Sequence, residues 1–124
     1  MILLVDDDAQ VRETIGRGLA ALGYAVREAE SGAVALALLR NQRPQLVILD
    51  FLMPDMDGAE TAREIARLEP DLPIIFSTGH AALRTLRTAA GEGASVLEKP
   101  FTLAELDALI KETLAEARVR VRSA

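Results

Sequence analysis

Four groups of residues stand out because their types could do chemistry together. Asp6-Asp7-Asp8 is an acidic triplet, and Asp50 opens the loop Phe51-Leu52-Met53-Pro54-Asp55-Met56-Asp57-Gly58. Ser77-Thr78-Gly79-His80 is rich in small polar groups, and Lys99-Pro100 sets a cation before a proline. Carboxylates gathered in one place repel one another, so they need a cation or raised pKa values. A hard divalent ion with oxygen ligands meets that need, and Mg²⁺ usually binds through one or two carboxylates plus waters and substrate phosphate. An aspartate carboxylate is also a nucleophile that can become an acyl phosphate. An ion bridging carboxylate and phosphoryl oxygens would then neutralise the developing charge. A lysine ammonium and a threonine hydroxyl opposite the acids would hold the remaining phosphoryl oxygens. Phosphoryl transfer asks for little else, because it is mostly positioning and charge stabilisation.

Each group alone has an ordinary reading. The triplet fits a solvated turn, and the loop after Asp50 uses proline and glycine for shape. Ser77-Thr78-Gly79-His80 fits a helix cap. Lys99-Pro100 fits a surface turn, with the cis isomer open to Pro100. What joins the four groups is their place along the chain. Ile2-Leu3-Leu4-Val5 runs straight into the acids, Leu46-Val47-Ile48-Leu49 into Asp50, Pro73-Ile74-Ile75-Phe76 into Ser77-Thr78, and Val96-Leu97 into Glu98-Lys99. A fifth, weaker run is Tyr24-Ala25-Val26. Runs that are apolar throughout suit strands buried on both faces of a parallel sheet.

The segments between these runs read as helices. Val11, Ile15, Leu19 and Leu22 recur at helical spacing before a Gly23 stop. Ser31 can cap a helix running to about Arg40. Ala59 to Leu68 places Ala62, Ile65 and Ala66 on one side, and Ala82 to Ala90 ends at Gly91 and Gly93. Thr102-Leu103-Ala104-Glu105 has capping-box spacing ahead of the stripe Leu106, Ile110, Leu114. Five strand–helix units predict a doubly wound α/β domain. Such a sheet binds its ligands outside the carboxyl ends of the strands, where strand order reverses. All four chemical groups fall there.

Bulk properties agree. The 124 residues fit one domain spanning 1–124, with 118–124 the end of a helix or a linker tail. No cysteine is present, which excludes disulfides and thiolate metal sites and suits a cytoplasmic location. No apolar run reaches the ~18 residues that span a bilayer, and no signal peptide is evident, so no membrane is expected. A net charge of −5 argues against a nucleic-acid surface, although Arg118-Val119-Arg120-Val121-Arg122 is locally basic.

The set Val5-Asp6-Asp7-Asp8, Leu49-Asp50 through Met53-Pro54 to Asp57-Gly58, Ser77-Thr78-Gly79-His80 and Lys99-Pro100-Phe101 resembles the receiver domain of two-component response regulators. The likeness runs from Ile2 to about Ala117. It implies a five-stranded parallel sheet in the order 2-1-3-4-5 with five helices. It implies that Asp50 is the phosphoacceptor, that Asp7 binds Mg²⁺ (or Mn²⁺) directly, and that Asp6 acts largely through water. The backbone carbonyl of Leu52 would complete the metal site. Thr78 would be the switch hydroxyl, and Lys99 the lysine that pairs with a phosphoryl oxygen. Asp8 is better read as a helix N-terminal charge, and His80, the single histidine, as an exposed loop residue. The implied partner is a histidine kinase or a histidine phosphotransfer protein. The chain would be an acceptor with slow self-dephosphorylation rather than a turnover enzyme. It would stand alone, be tethered to a kinase, or lack an output domain carried elsewhere.

Two departures concern signalling. Val96 stands where the family often has tyrosine or phenylalanine, and the stretch near Gly93-Ala94-Ser95 is about one residue short. Three rivals are weaker. An aspartyl-phosphate phosphatase would want a second acid where Leu52 stands. A nucleotide- or flavin-binding module would want a glycine- or hydroxyl-rich loop after the first strand, where three aspartates would repel phosphate. A phosphorylation-independent receiver-like module would usually have lost an acid or the lysine, and this chain keeps them.

Overall fold

A computed structural model describes residues 1–53, 57–91 and 93–123, and side chains up to residue 119. The chain alternates β1 (Ile2–Val5), α1 (Ala9–Ala21), β2 (Val26–Ala29), α2 (Gly32–Leu39), β3 (Leu46–Asp50), α3 (Gly58–Leu68), β4 (Ile74–Gly79), α4 (Leu83–Ala90), β5 (Ser95–Lys99) and α5 (Leu103–Ser123). A 3₁₀ turn over His80–Ala82 leads into α4. The strands form one parallel sheet in the order β2-β1-β3-β4-β5. The doubly wound fold and its strand order are therefore as expected.

Alternation along the strands sends successive side chains to opposite faces. Ile2, Leu4, Leu46, Ile48, Ile75 and Leu97 pack with Ile15 and Leu19 of α1 and Leu106 and Ile110 of α5. Leu3, Val5, Val47, Leu49 and Phe76 pack on the other face with Leu39 of α2, Ile65 of α3 and Leu86 of α4. Two cores of this kind explain why β1 and β3 read as unbroken apolar runs. Burying one such aliphatic side chain is worth about 1.5–3 kcal/mol.

The helices start where side chains can serve their free N–H groups. Asp8 caps α1 by accepting from the Gln10 and Val11 amides at 2.9 and 3.2 Å. Ser31 accepts from Val34 at 3.1 Å, Asp57 from Glu60 at 2.8 Å, and Thr102 from Glu105 at 3.1 Å. Gly23, with φ of 95°, closes α1 in a left-handed conformation that a Cβ would strain.

Three sequence expectations need correction. β2 runs over Val26–Ala29, not Tyr24–Val26. It is an edge strand paired with β1 alone, from Ile2↔Val26 to Val5↔Ala29, so Arg27 and Glu28 can face water and break the apolar pattern. β5 extends beyond Val96-Leu97 to Ser95–Lys99 because β4 pairs with it along its whole length. On α3, Ala66 is exposed, and the inward face is Ala59, Thr61 and Ile65 with Ala62 half-buried. Pro54, Asp55 and Met56, part of the loop motif, lie outside the described residues.

The start of α3 is pressed onto the end of β3. The Gly58 amide donates to the Phe51 carbonyl at 2.8 Å. A Cβ on Gly58 would come within 2.6 Å of Phe51 Cα and 2.8 Å of the Asp50 carbonyl oxygen. These are backbone atoms and cannot swing away. Gly58→Ala is expected to cost about 2–3 kcal/mol. Urea unfolding should show a lower midpoint at unchanged slope, and a wild-type midpoint would contradict this close-packing account.

Candidate functional site

The row of side chains that continues the α1/α5 core toward the carboxyl ends of the strands is polar. Two residues beyond Leu4, Ile48, Ile75 and Leu97 come Asp6, Asp50, Ser77 and Lys99. A strictly apolar run thus ends in chemistry on a fixed face, one pleat past the core.

Asp6 and Asp50 are buried, whereas Asp7 is exposed. One carboxylate oxygen from each of the three lies within 4.8 Å of the others. Asp6 is held from three directions. Its Oδ1 accepts from the Asp8 amide at 2.9 Å, its carbonyl accepts from Arg12 Nη1 at 2.7 Å, and its Oδ2 faces Lys99 Nζ at 3.5 Å. Lys99 Nζ lies equally far, 3.5 Å, from Asp50 Oδ1. Asp50 sits at the end of β3, opposite Ser77 of β4. Thr78 is buried, with its hydroxyl turned to the Gly79 carbonyl at 3.3 Å. Beneath the site Phe51 and Phe76 meet edge to face, 6.2 Å between centroids.

The structure therefore brings Asp6, Asp7, Asp50 and Lys99 together, with Thr78 on the adjoining strand end. Leu52 follows Asp50 by two residues with its side chain exposed. Asp8 is the α1 cap rather than part of the acidic cluster. His80 is exposed and its Nδ1 meets Glu98 Oε1 at 2.7 Å, tying the turn before α4 to β5. Lys99-Pro100 is cis. Arg12, which no motif flagged, clamps the Asp6 carbonyl and also reaches Glu28 at 3.4 Å. Its contact joins a strand end to a helix, and helical spacing carries no sign of it.

Burial, aided by the neighbouring Asp6 and Asp7 carboxylates and opposed by Lys99, lifts the Asp50 pKa from 3.8 to about 6. At neutral pH the group is mainly an ionised, poorly solvated carboxylate. The three oxygens suit a hard divalent cation, since they are hard donors, anionic and close together.

The chain belongs to the response regulator receiver domain family, whose model matches residues 2–111. Receiver domains are the phosphoacceptor modules of two-component signalling. Among curated proteins, the response regulator MprA of Mycobacterium sp. strain KMS is 41% identical over 114 residues, covering 91% of this chain and 50% of that protein. MprA of Mycobacterium leprae is 38% identical over 118 residues, covering 94% and 52%. The chain thus spans about half the length of these relatives. Among solved structures, the receiver domain of NtrX from Brucella abortus superposes with a TM-score of 0.87 at 31% identity, covering 93% of this chain and 98% of that one. A receiver domain protein from Clostridium thermocellum gives 0.87 at 30% identity, covering 95% and 96%.

The raised Asp50 pKa has a signed consequence for stability. Between pH 4 and 6 the folded chain binds a proton that the unfolded chain does not, so this contribution is complete below pH 3.8 and lost as pH rises through about 6. A shift of this size corresponds to at most about 3 kcal/mol. In EDTA at pH 8, Asp50→Asn should therefore be more stable than wild type by about 1–3 kcal/mol. The difference should shrink toward pH 4. Urea unfolding of both proteins across the series measures it, and a difference independent of pH would contradict the account.

Proposed function

We propose that the chain accepts a phosphoryl group on Asp50 from the phosphohistidine of a histidine kinase or histidine phosphotransfer protein, in a reaction that needs Mg²⁺ or Mn²⁺. The observation that carries this reading is the buried Asp50 carboxylate, grouped with two more carboxylates within 4.8 Å and faced by an ammonium at 3.5 Å. Asp6, Asp7, Asp50 and the Leu52 carbonyl would hold the cation. Bound there, the ion would supply positive charge that offsets the negative charge developing during transfer. An Asp50 oxygen attacks phosphorus, the bond from phosphorus to the donor nitrogen breaks, and its electron pair returns to the imidazole. Lys99 holds a phosphoryl oxygen, and Thr78 exchanges its Gly79 contact for another. These groups already stand at adjoining strand ends, so only short side-chain movements are needed.

Thr78 leads directly into the 3₁₀ turn and α4. Val96 of β5, half-buried against the core and opposite Phe76, is stiff about χ1 and too short to trade a solvent pose for a buried one. Signalling would therefore leave through the Thr78 turn and α4 rather than through a swinging side chain on β5. We read residues 1–124 as one receiver domain, acting in the cytoplasm as a slowly self-dephosphorylating acceptor rather than a turnover enzyme. Residues 118–124 would end its last helix or begin a linker. Its output would come from a further part of a longer regulator, from a tethered kinase or from a separate partner. Among the described residues no helix is long and apolar enough to cross a membrane.

Incubation with acetyl phosphate and Mg²⁺ should add one phosphoryl mass to the intact protein. EDTA and Asp50→Asn should each prevent it, and an adduct of full yield on the variant would refute the assignment. Within the acidic pair, Asp7→Ala should weaken Mg²⁺ binding about tenfold more than Asp6→Ala, since a direct ligand contributes an oxygen as well as charge. Chemical-shift titration of both variants decides this, and equal losses would reverse the order of the two roles.

A further inference from the structure

One buried group at the strand ends has no role in the scheme above. Ser77 is 2% exposed, and its hydroxyl has no hydrogen-bond partner among the described residues. Such orphans are uncommon, because a buried hydroxyl without a partner is costly. Its position is informative. Ser77 pairs with Asp50 on β3 and with Leu97 on β5. By alternation it shares the α1/α5 face with Asp6, Asp50 and Lys99, because Ile75 and Leu97 below them lie in that core.

Lys99 presents the complementary deficit. An ammonium has three N–H donors. Its described partners are Asp6 Oδ2 and Asp50 Oδ1, both at 3.5 Å, the long limit for a hydrogen bond. Lys99 thus hangs loosely between two carboxylates, with a donor to spare. Asp50, one of those carboxylates, is the cross-strand neighbour of the unpaired Ser77 hydroxyl.

We infer that Ser77 is a positioning residue for Lys99: its Oγ accepts the third N–H of the ammonium when phosphate occupies Asp50. Formation of the acyl phosphate changes Asp50 from a carboxylate into a phosphoryl carrier, so Lys99 must leave its midway position for a phosphoryl oxygen. A neutral acceptor beside Asp50 fixes the ammonium there without competing for its charge, as a fourth carboxylate would. The inference rests on the phosphoacceptor reading of Asp50.

The test compares Ser77→Thr with Ser77→Val, which have the same shape and differ in the hydroxyl. With acetyl phosphate and Mg²⁺, the threonine variant should retain the wild-type phosphorylation rate to within about twofold, and the valine variant should lose about tenfold, the worth of one charge-assisted hydrogen bond. In a Lys99→Ala background the two variants should be equal. In the beryllofluoride-bound protein, the Lys99 ammonium proton signal should be slowed in exchange for wild type and Ser77→Thr, and lost for Ser77→Val. Equal rates for Ser77→Thr and Ser77→Val in otherwise wild-type protein, or a difference that survives removal of Lys99, would overturn the role of Ser77 alone. Failure of the wild-type chain to take up any phosphoryl group would overturn the phosphoacceptor reading and this inference with it.

Discussion

Three carboxylates held within 4.8 Å of one another are the constraint around which the rest of this protein is arranged. Left free, they would part or take up protons. Two of them cannot part, because Asp6 and Asp50 are buried at the ends of central strands that are themselves sealed between two apolar layers. Asp6 is fixed further by the Asp8 amide and the Arg12 guanidinium. Burial first, and then repulsion from Asp6 and Asp7, therefore raises the Asp50 pKa in place of a rearrangement. A receiver domain built this way is a rigid frame for a charge problem that Lys99 and the raised Asp50 pKa relieve in part.

The frame and the charges are coupled through the pleat of the sheet. Each strand carries core side chains on alternate faces, and the same alternation, run one step further, delivers Asp6, Asp50, Ser77 and Lys99 to one face. A one-residue slip in β3 or β4 would swing Asp50 or Ser77 to the opposite face. Close packing of Gly58 against Phe51 and Asp50 guards that register from the loop side.

Much of this was legible in the residues. Unbroken apolar runs identified β1 and β3, and their polar ends located Asp6, Asp7 and Asp50. Lys99 and Thr78 were found because they end strands too, and caps at Ser31 and Thr102 were readable from spacing. The edge strands were harder. β2 is wetted along one side, so Arg27 and Glu28 hid it and the apolar Tyr24 drew the expectation toward the wrong end. Ala66 was misplaced because alanine fits either face of a helix. The Arg12 clamp, the unpartnered state of the Ser77 hydroxyl and the His80–Glu98 contact were invisible for a different reason: each depends on which residues of separate elements meet, and no local period encodes that.

The arrangement of the edges bears on how copies of this chain meet each other. Parallel sheets end in strands with unpaired backbone groups, which invite further strands to add on. Here β2 offers exposed Arg27 and Glu28 at one margin, and β5 offers exposed Glu98 at the other, with Lys99 beside it. A newcomer would have to strip water from these charges before gaining any backbone hydrogen bond. The glutamate that holds His80 thus also discourages strand addition at the β5 edge, on the same short strand that carries Lys99 to the acidic cluster.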